Sequence, residues 1–427
     1  LVEPGRRSLF KIAVGGVAVL ASGGVAVPAR ATDRPEPAPD ATPEPAPVHA
    51  GCFSETFKGR NLQICPHTPV VDDLMARGVF IDGVPLLIAV RHGTYTSALN
   101  LHTAHDSLKA AARDAVNRLQ GAALELRRGR LDPPALDRPD LPGRRGGQRR
   151  RPGRAGYVRR NVATFTSAER ADFVDALLTL KDQGVYDYLV DLSRRSFSSP
   201  WNAQTHAGFV PWHRALLLLL ETQIQRLKPA LALPYWDWGA DKGLAGAPFT
   251  TDLLGGNGYA GTGDRPRAAE VTTGPFAART GQWPITVRED SRGYLRREIG
   301  RAGPASSGPG QVNHFLGDTV YDRAPFDTTA TTELEGWWGT PNAMHNRAHT
   351  WIGGTMTAAS SANDPLFYLT HAYIDSLWAD WQLRHPDVAN ALPADLLDTP
   401  LEPFKSELNW TITPRQLLNH GAWYTYT

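Results

Sequence analysis

The sequence predicts a mainly α domain, with helices joined by long loops, preceded by a small α+β unit. Three observations carry this. Segments with apolar residues at helical spacing recur from residue 161 to residue 385. Ahead of residue 126, a hairpin pattern and a short strand precede one amphipathic helix. Two polar, Pro-rich breaks, at 32–50 and 127–160, set these stretches apart.

A length of 427 residues suits two or three units. Hydrophobic residues make up 41%, enough to build a real core. Lys plus Arg (45) nearly balances Asp plus Glu (43), and a net charge of +2 lacks the basic footprint of a nucleic-acid binder. The two cysteines, Cys52 and Cys65, exclude a disulfide framework for the bulk of the chain. Residues 1–31 read as an export signal: Arg6-Arg7-Ser8-Leu9-Phe10-Lys11 is a twin-arginine pattern, an apolar run follows, and Ala29-Arg30-Ala31 offers a cleavage site. The expected location is therefore outside the cell. The alternative is a membrane anchor, but the run is weaker than the ~20 strongly apolar residues that span a bilayer, so no stable insertion is expected.

The elements follow in order. Residues 32–50 are a solvated linker, and 51–126 form the small unit. Within it, 78–88 read as a hairpin with Asp82-Gly83 in the turn, 95–99 as a strand, and 107–124 as a helix with Leu108, Ala111, Ala115 and Leu119 on one face. The stretch 127–160 holds twelve arginines among prolines and glycines and reads as a flexible basic tether open to proteases. The main domain, 161–427, carries helices at 167–183 (Thr166 as cap, Glu169 in the first turn), 213–227, 343–351 and 364–385 (Asp364 as cap, Pro365 first). The Gly-, Pro- and Thr-rich stretch between the second and third reads as irregular surface.

Histidine placement carries the chemistry. His345 and His349 stand at i and i+4, which puts two imidazoles on one helix face with Cβ atoms ~5–6 Å apart. Such pairs are more often packed or surface residues than ligands. His371 strengthens the case, because its helix is apolar on the core side, with Leu369, Ile374, Leu377, Trp378 and Trp381. A histidine turned inward there needs a partner. His206 and His213 form a second group at the start of the most apolar helix. All-imidazole sites suit copper better than magnesium or calcium, and zinc also accepts them. No H-E-x-x-H stretch supports a zinc hydrolase.

Phe209-Val210-Pro211-Trp212-His213-Arg214, with Glu221 beyond, resembles the first copper signature of tyrosinases. Asp364-Pro365-Leu366-Phe367, with His371 and Asp375, resembles the second. Leu233-Pro234-Tyr235-Trp236-Asp237-Trp238 and His345-Asn346-Arg347-Ala348-His349 also have counterparts there. The resemblance runs from about residue 158 onward and is closest to actinobacterial tyrosinases. Separately, Glu55-Thr56-Phe57-Lys58-Gly59-Arg60, the hairpin, and residues 110–116 resemble the small caddie proteins that deliver copper to bacterial tyrosinases.

The resemblance implies a four-helix bundle holding a dicopper site, with dioxygen and a phenolic small molecule as substrates and o-quinones as products. It implies His345, His349 and His371 as ligands of the second copper and His206 and His213 as ligands of the first. Glu335 and Asn346 would hold the water that takes the phenol proton, a structural ion pair being the alternative for Glu335. One departure concerns the first site: Ser193 stands where the family has its first histidine. Copper binding with impaired oxidation is therefore one alternative, and catechol or o-aminophenol oxidation, as in near relatives, is another. The caddie-like segment is expected to dock in cis, with His102 (or Tyr95) as pocket plug, and to be freed by cutting near 144–151. A surface position is the plain alternative for His102. Cys52 and Cys65 either pair as a disulfide or carry copper with His67.

Overall fold

The first hairpin is closed at its base by a disulfide between Cys52 and Cys65, so these cysteines are paired and offer no thiolates. It joins strands β1 (Phe53–Phe57) and β2 (Arg60–Ile64). The computed structural model describes residues 52–65, 75–76, 78–91, 93–125, 130–139, 156–197, 203, 207–240, 245–258, 269–301, 308–319, 321, 344–387 and 392–427. The export segment, the 32–50 linker, His67, the arginine run at 144–151, His206 and Glu335 lie outside them. The described residues belong to one compact unit, Ala46–Thr427. Among them no helix is long and apolar enough to cross a membrane.

Among the described residues, two four-stranded sheets and one helix make up the small N-terminal unit, termed the helper for its resemblance to caddie proteins. Strands β4 (Val79–Ile81) and β5 (Val84–Pro85) complete the first sheet, in the order β1-β2-β4-β5. Asp82 (φ 51°) and Gly83 (φ 77°) both sit in the left-handed region, which the tight turn requires. The second sheet has the order β3-β6-β7-β8, with β3 at Met75–Ala76, β6 at Ile88–Arg91, β7 at Thr94–Ser97 and β8 at Asn100–His105. Helix α1 (Leu108–Leu119) buries Ala111, Ala112, Ala115, Val116 and Leu119, and Ser107 Oγ caps it by accepting the Ala110 N–H. It stops short of the expected residue 124 because Gln120 and Gly121 turn left-handed.

The remaining body is mainly helical. Helix α2 (Ser167–Asp182) opens with the Thr166–Glu169 capping box. Helix α3 (Val185–Ser196) follows after Gly184; it was not foreseen as a helix and is buried along most of its length. Helix α4 (Phe209–Leu227) starts four residues before the expected His213, with Pro211 in its first turn, where a missing N–H costs nothing. After α5 (Pro309–Gly317) come α6 (Met344–Ile352) and α7 (Leu366–Arg384). Helix α4 packs on α7, and α2 on α3 and α4. Apart from α5, the described part of the stretch between α4 and α6 is mostly irregular but not surface: Phe249, Leu254, Val271, Phe276, Trp283 and Leu295 enter the core.

A buried ion cluster binds these parts together. Asp375 on α7 takes Arg214 of α4 at 2.5 Å, Arg159 at 3.2 Å, and the hydroxyls of Tyr424 and Tyr426 at 2.6 Å each. Arg159 lies on β9 (Tyr157–Arg159), which pairs in parallel with β10 (Tyr424–Tyr426) and also reaches Glu221 at 2.7 Å. The tether is not free coil throughout. Residues 130–139 have no helix or strand, yet Leu131 and Leu136 pack against the body's core.

Candidate metal centre

Helix α6 carries His345 and His349 one turn apart, and α7 brings His371 to face them. All three are buried. His371 Nε2 lies 3.3 Å from His345 Nε2 and 3.4 Å from His349 Nε2. Outward bonds orient His345 and His349. His349 Nδ1 sits 2.8 Å from the Met356 carbonyl, to which it donates, and His345 Nδ1 sits 3.0 Å from Asn346 Oδ1. With their protons spent outward, His345 and His349 turn bare Nε2 lone pairs inward. At most one proton fits among the three inner nitrogens. A first-row metal ion bonded to imidazoles at ~2.0–2.1 Å in near-tetrahedral geometry holds its ligand nitrogens about 3.3 Å apart. The separations match that figure, and the three residues form a candidate metal-binding group.

His213, on the second turn of α4, adds a fourth imidazole. Its Nδ1 donates to the Phe209 carbonyl at 2.9 Å, and its Nε2 is buried without a hydrogen-bond partner. The ring stacks on His371, centroids 4.2 Å apart and planes within 8°. Phe209 and Phe367 pack the rings in: Phe209 lies 4.4 Å from His213 and 4.9 Å from His345, and Phe367 lies 4.2 Å from His371. Burial lowers the pKa of each imidazole, to about 3 for His213 and about 4 for His349, and well below the ordinary value for His345 and His371. Neutral rings keep their lone pairs free for a cation. This donor set, with no carboxylate or thiolate among the clustered ligands, fits copper.

A second layer holds the helices. Arg297 clamps Asp364 through two bonds of 2.8 Å, both side chains fully buried, and Asp364 accepts the Leu366 N–H at 3.0 Å at the start of α7. The motif pointed to Asp364, but nothing in the sequence singled out Arg297. Met356 was equally invisible, because it contributes a backbone oxygen.

The structure places the other expected residues as follows. Asn346 is buried beside His345. Ser193 is buried on α3, its carbonyl accepting Ser196 Oγ at 2.6 Å. His102, on β8 of the helper, is buried against the centre, not on the surface: its Nδ1 lies 3.0 Å from Asn346 Oδ1, and its ring lies 4.1 Å from that of His349, tilted by 33°. Tyr95 packs against the helper's own core.

Residues 183–384 match the family model described as the common central domain of tyrosinase, and residues 15–126 match that of the tyrosinase co-factor MelC1. The tyrosinase of Streptomyces glaucescens is 41% identical over 278 residues, covering 63% of this chain and 98% of that one. Grixazone synthase of Streptomyces griseus is 35% identical over 314 residues, covering 63% and 99%. A solved polyphenol oxidase from Thermothelomyces thermophila aligns with a TM-score of 0.40 at 23% identity, over 53% of this chain and 70% of that one. Identity of this order along nearly the whole length of the Streptomyces enzymes shows that the chain belongs to the tyrosinase family, copper oxidoreductases that bind two copper ions, and that it carries a MelC1-type segment on the same polypeptide.

Proposed function

We propose that the chain oxidises phenols and o-diphenols to o-quinones with dioxygen, and that its helper loads copper and caps the pocket. One observation supports this most directly. His102 lays a flat ring over His349 and directs a single polar atom at Asn346 Oδ1. A phenol has the same outline, a planar ring with one O–H donor. Bound copper would supply dioxygen activation and electron transfer. The protein's part is then positional. The face of His349 supports the substrate ring, Asn346 Oδ1 accepts a hydrogen bond at the reacting edge, and Phe209 and Phe367 keep water from the imidazoles. Glu335 is the proposed companion of Asn346 in holding the water that takes the phenol proton.

The second reading, a copper binder with weak oxidase activity, is favoured by Ser193, a hydroxyl where an imidazole is expected. Two measurements on copper-loaded full chain separate the readings: copper per chain, and oxidation of tyrosine and L-DOPA by the parent and by His102→Ala. Two ions per chain and at least a tenfold faster oxidation by His102→Ala are expected. One ion per chain and no oxidation by either protein would favour the second reading. Equal, substantial rates would leave the oxidase standing and remove the capping role.

A further inference from the structure

We propose that residues 130–139 are a retention strap, a segment bound along the surface of the catalytic body that keeps the helper attached after the chain is cut at 140–155. The strap makes no helix or strand of its own, so the body sets its shape. Gln223 of α4 is the clasp. It is 1% exposed, and its amide reads one strap residue from both sides: Nε2 donates to the Asp137 carbonyl at 2.7 Å, and Oε1 accepts the Asp137 N–H at 3.3 Å. That is the exchange a neighbouring β-strand would make, supplied by a side chain.

Nearer the helper, the Leu131 N–H donates to Asp191 Oδ2 at 3.1 Å, and this fully buried carboxylate is held in place by Arg194 and Arg195. At the far end Arg138 Nη1 donates to the carbonyls of Leu408 (3.1 Å) and Asn409 (2.6 Å). Arg130 faces Glu407 at 3.3 Å and Arg226 faces Asp137 at 3.0 Å, while Leu131 and Leu136 pack against the body's core. Pro133, Pro134 and Pro139 restrict the free strap and lower the entropy lost on docking. Removing the strap would strip a buried amide of two partners.

The helper's own face is a separate attachment. It includes backbone bonds from Ala359 N–H to the Ala98 carbonyl (2.8 Å) and from Glu125 N–H to the Glu289 carbonyl (2.8 Å), and the half-exposed Arg288–Glu125 pair. Two linked attachments dissociate far more slowly than one, because each holds the other at high local concentration. Cutting in the arginine run therefore leaves both in place, whereas cutting ahead of Arg130 uncouples them. The inference concerns attachment alone and does not depend on the substrate or on the capping role.

The test places a specific protease site in the full chain at one of two positions, between Glu125 and Arg130 or within 144–151. The body is immobilised by a C-terminal tag, the chain is cut, and loss of the helper is followed over time. Release at least tenfold faster from the first cut is expected, and Gln223→Ala should speed release from the second cut at least threefold. Equal release from the two cuts would overturn the strap, and this comparison needs no core substitution. Unchanged release by folded Gln223→Ala would overturn the role of that amide.

Discussion

The Nε2 atoms of His345 and His349 lie 3.3 and 3.4 Å from His371 Nε2, and these three inner nitrogens cannot all be satisfied by protons, so a cation is the natural occupant. Chelation should therefore lower the melting temperature by several degrees, since the metal binds only the folded form. His371→Ala should abolish that shift, and an unchanged shift in calorimetry would mean the ion binds elsewhere. These three ligands were legible in the sequence because spacing and motif are properties of side chains. The outward bond from His349 to the Met356 carbonyl was not legible, because any residue has a carbonyl. A second residue offers a pH test. Glu289 is buried beside the helper contact, with Ser360 Oγ at 2.5 Å and Arg194 and Asp290 acting on it, and burial pushes its pKa up to about 7. The folded value lies above the unfolded one, so the protonated acid stabilises. That contribution is complete below the ordinary value of 4.5 and is lost as the pH rises through about 7. Glu289→Gln should remove a loss on the order of 3 kcal/mol between pH 5 and pH 8, as seen by urea unfolding. Parallel curves for parent and variant would refute this.

Among the elements, those with local signals were legible and those made by burial were not. Thr166 and Glu169 announced the start of α2, and Asp82-Gly83 announced the hairpin. Helix α3 has no side-chain cap, and its tyrosines and valines are weak helix formers; packing on α2 and α4 makes it helical. Helix α4 begins at Phe209, ahead of the expected 213, with Pro211 in the first turn, where proline is tolerated. The ion cluster was also invisible, since Arg159 and Asp375 lie far apart in sequence. It joins α4 next to His213 to α7 four residues past His371. Asp375→Ala would leave Arg159 and Arg214 buried without their shared carboxylate, and should cost about 3–5 kcal/mol. A urea midpoint within error of the parent would contradict this.

At the scale of the molecule, the helper, the strap and the body are three bodies of contact on one polypeptide, which composition alone had divided at a tether. The arginines of that tether suggested free coil, but the sequence could not reveal that Gln223 and Asp191 wait on the body to receive it. One consequence concerns the product. The o-quinones of the proposed reaction are electrophiles, and thiolates are the side chains they capture fastest. The chain has two cysteines, both in the helper and both tied in one disulfide, so it offers such a product no free thiol. Reducing the disulfide, and removing the reductant before turnover, should change this. Quinone adducts are then expected by peptide mass spectrometry at Cys52 and Cys65, and equal labelling without prior reduction would show that the pair is open. The body, free of cysteine, would thereby present no thiol to the electrophile that the proposed reaction makes.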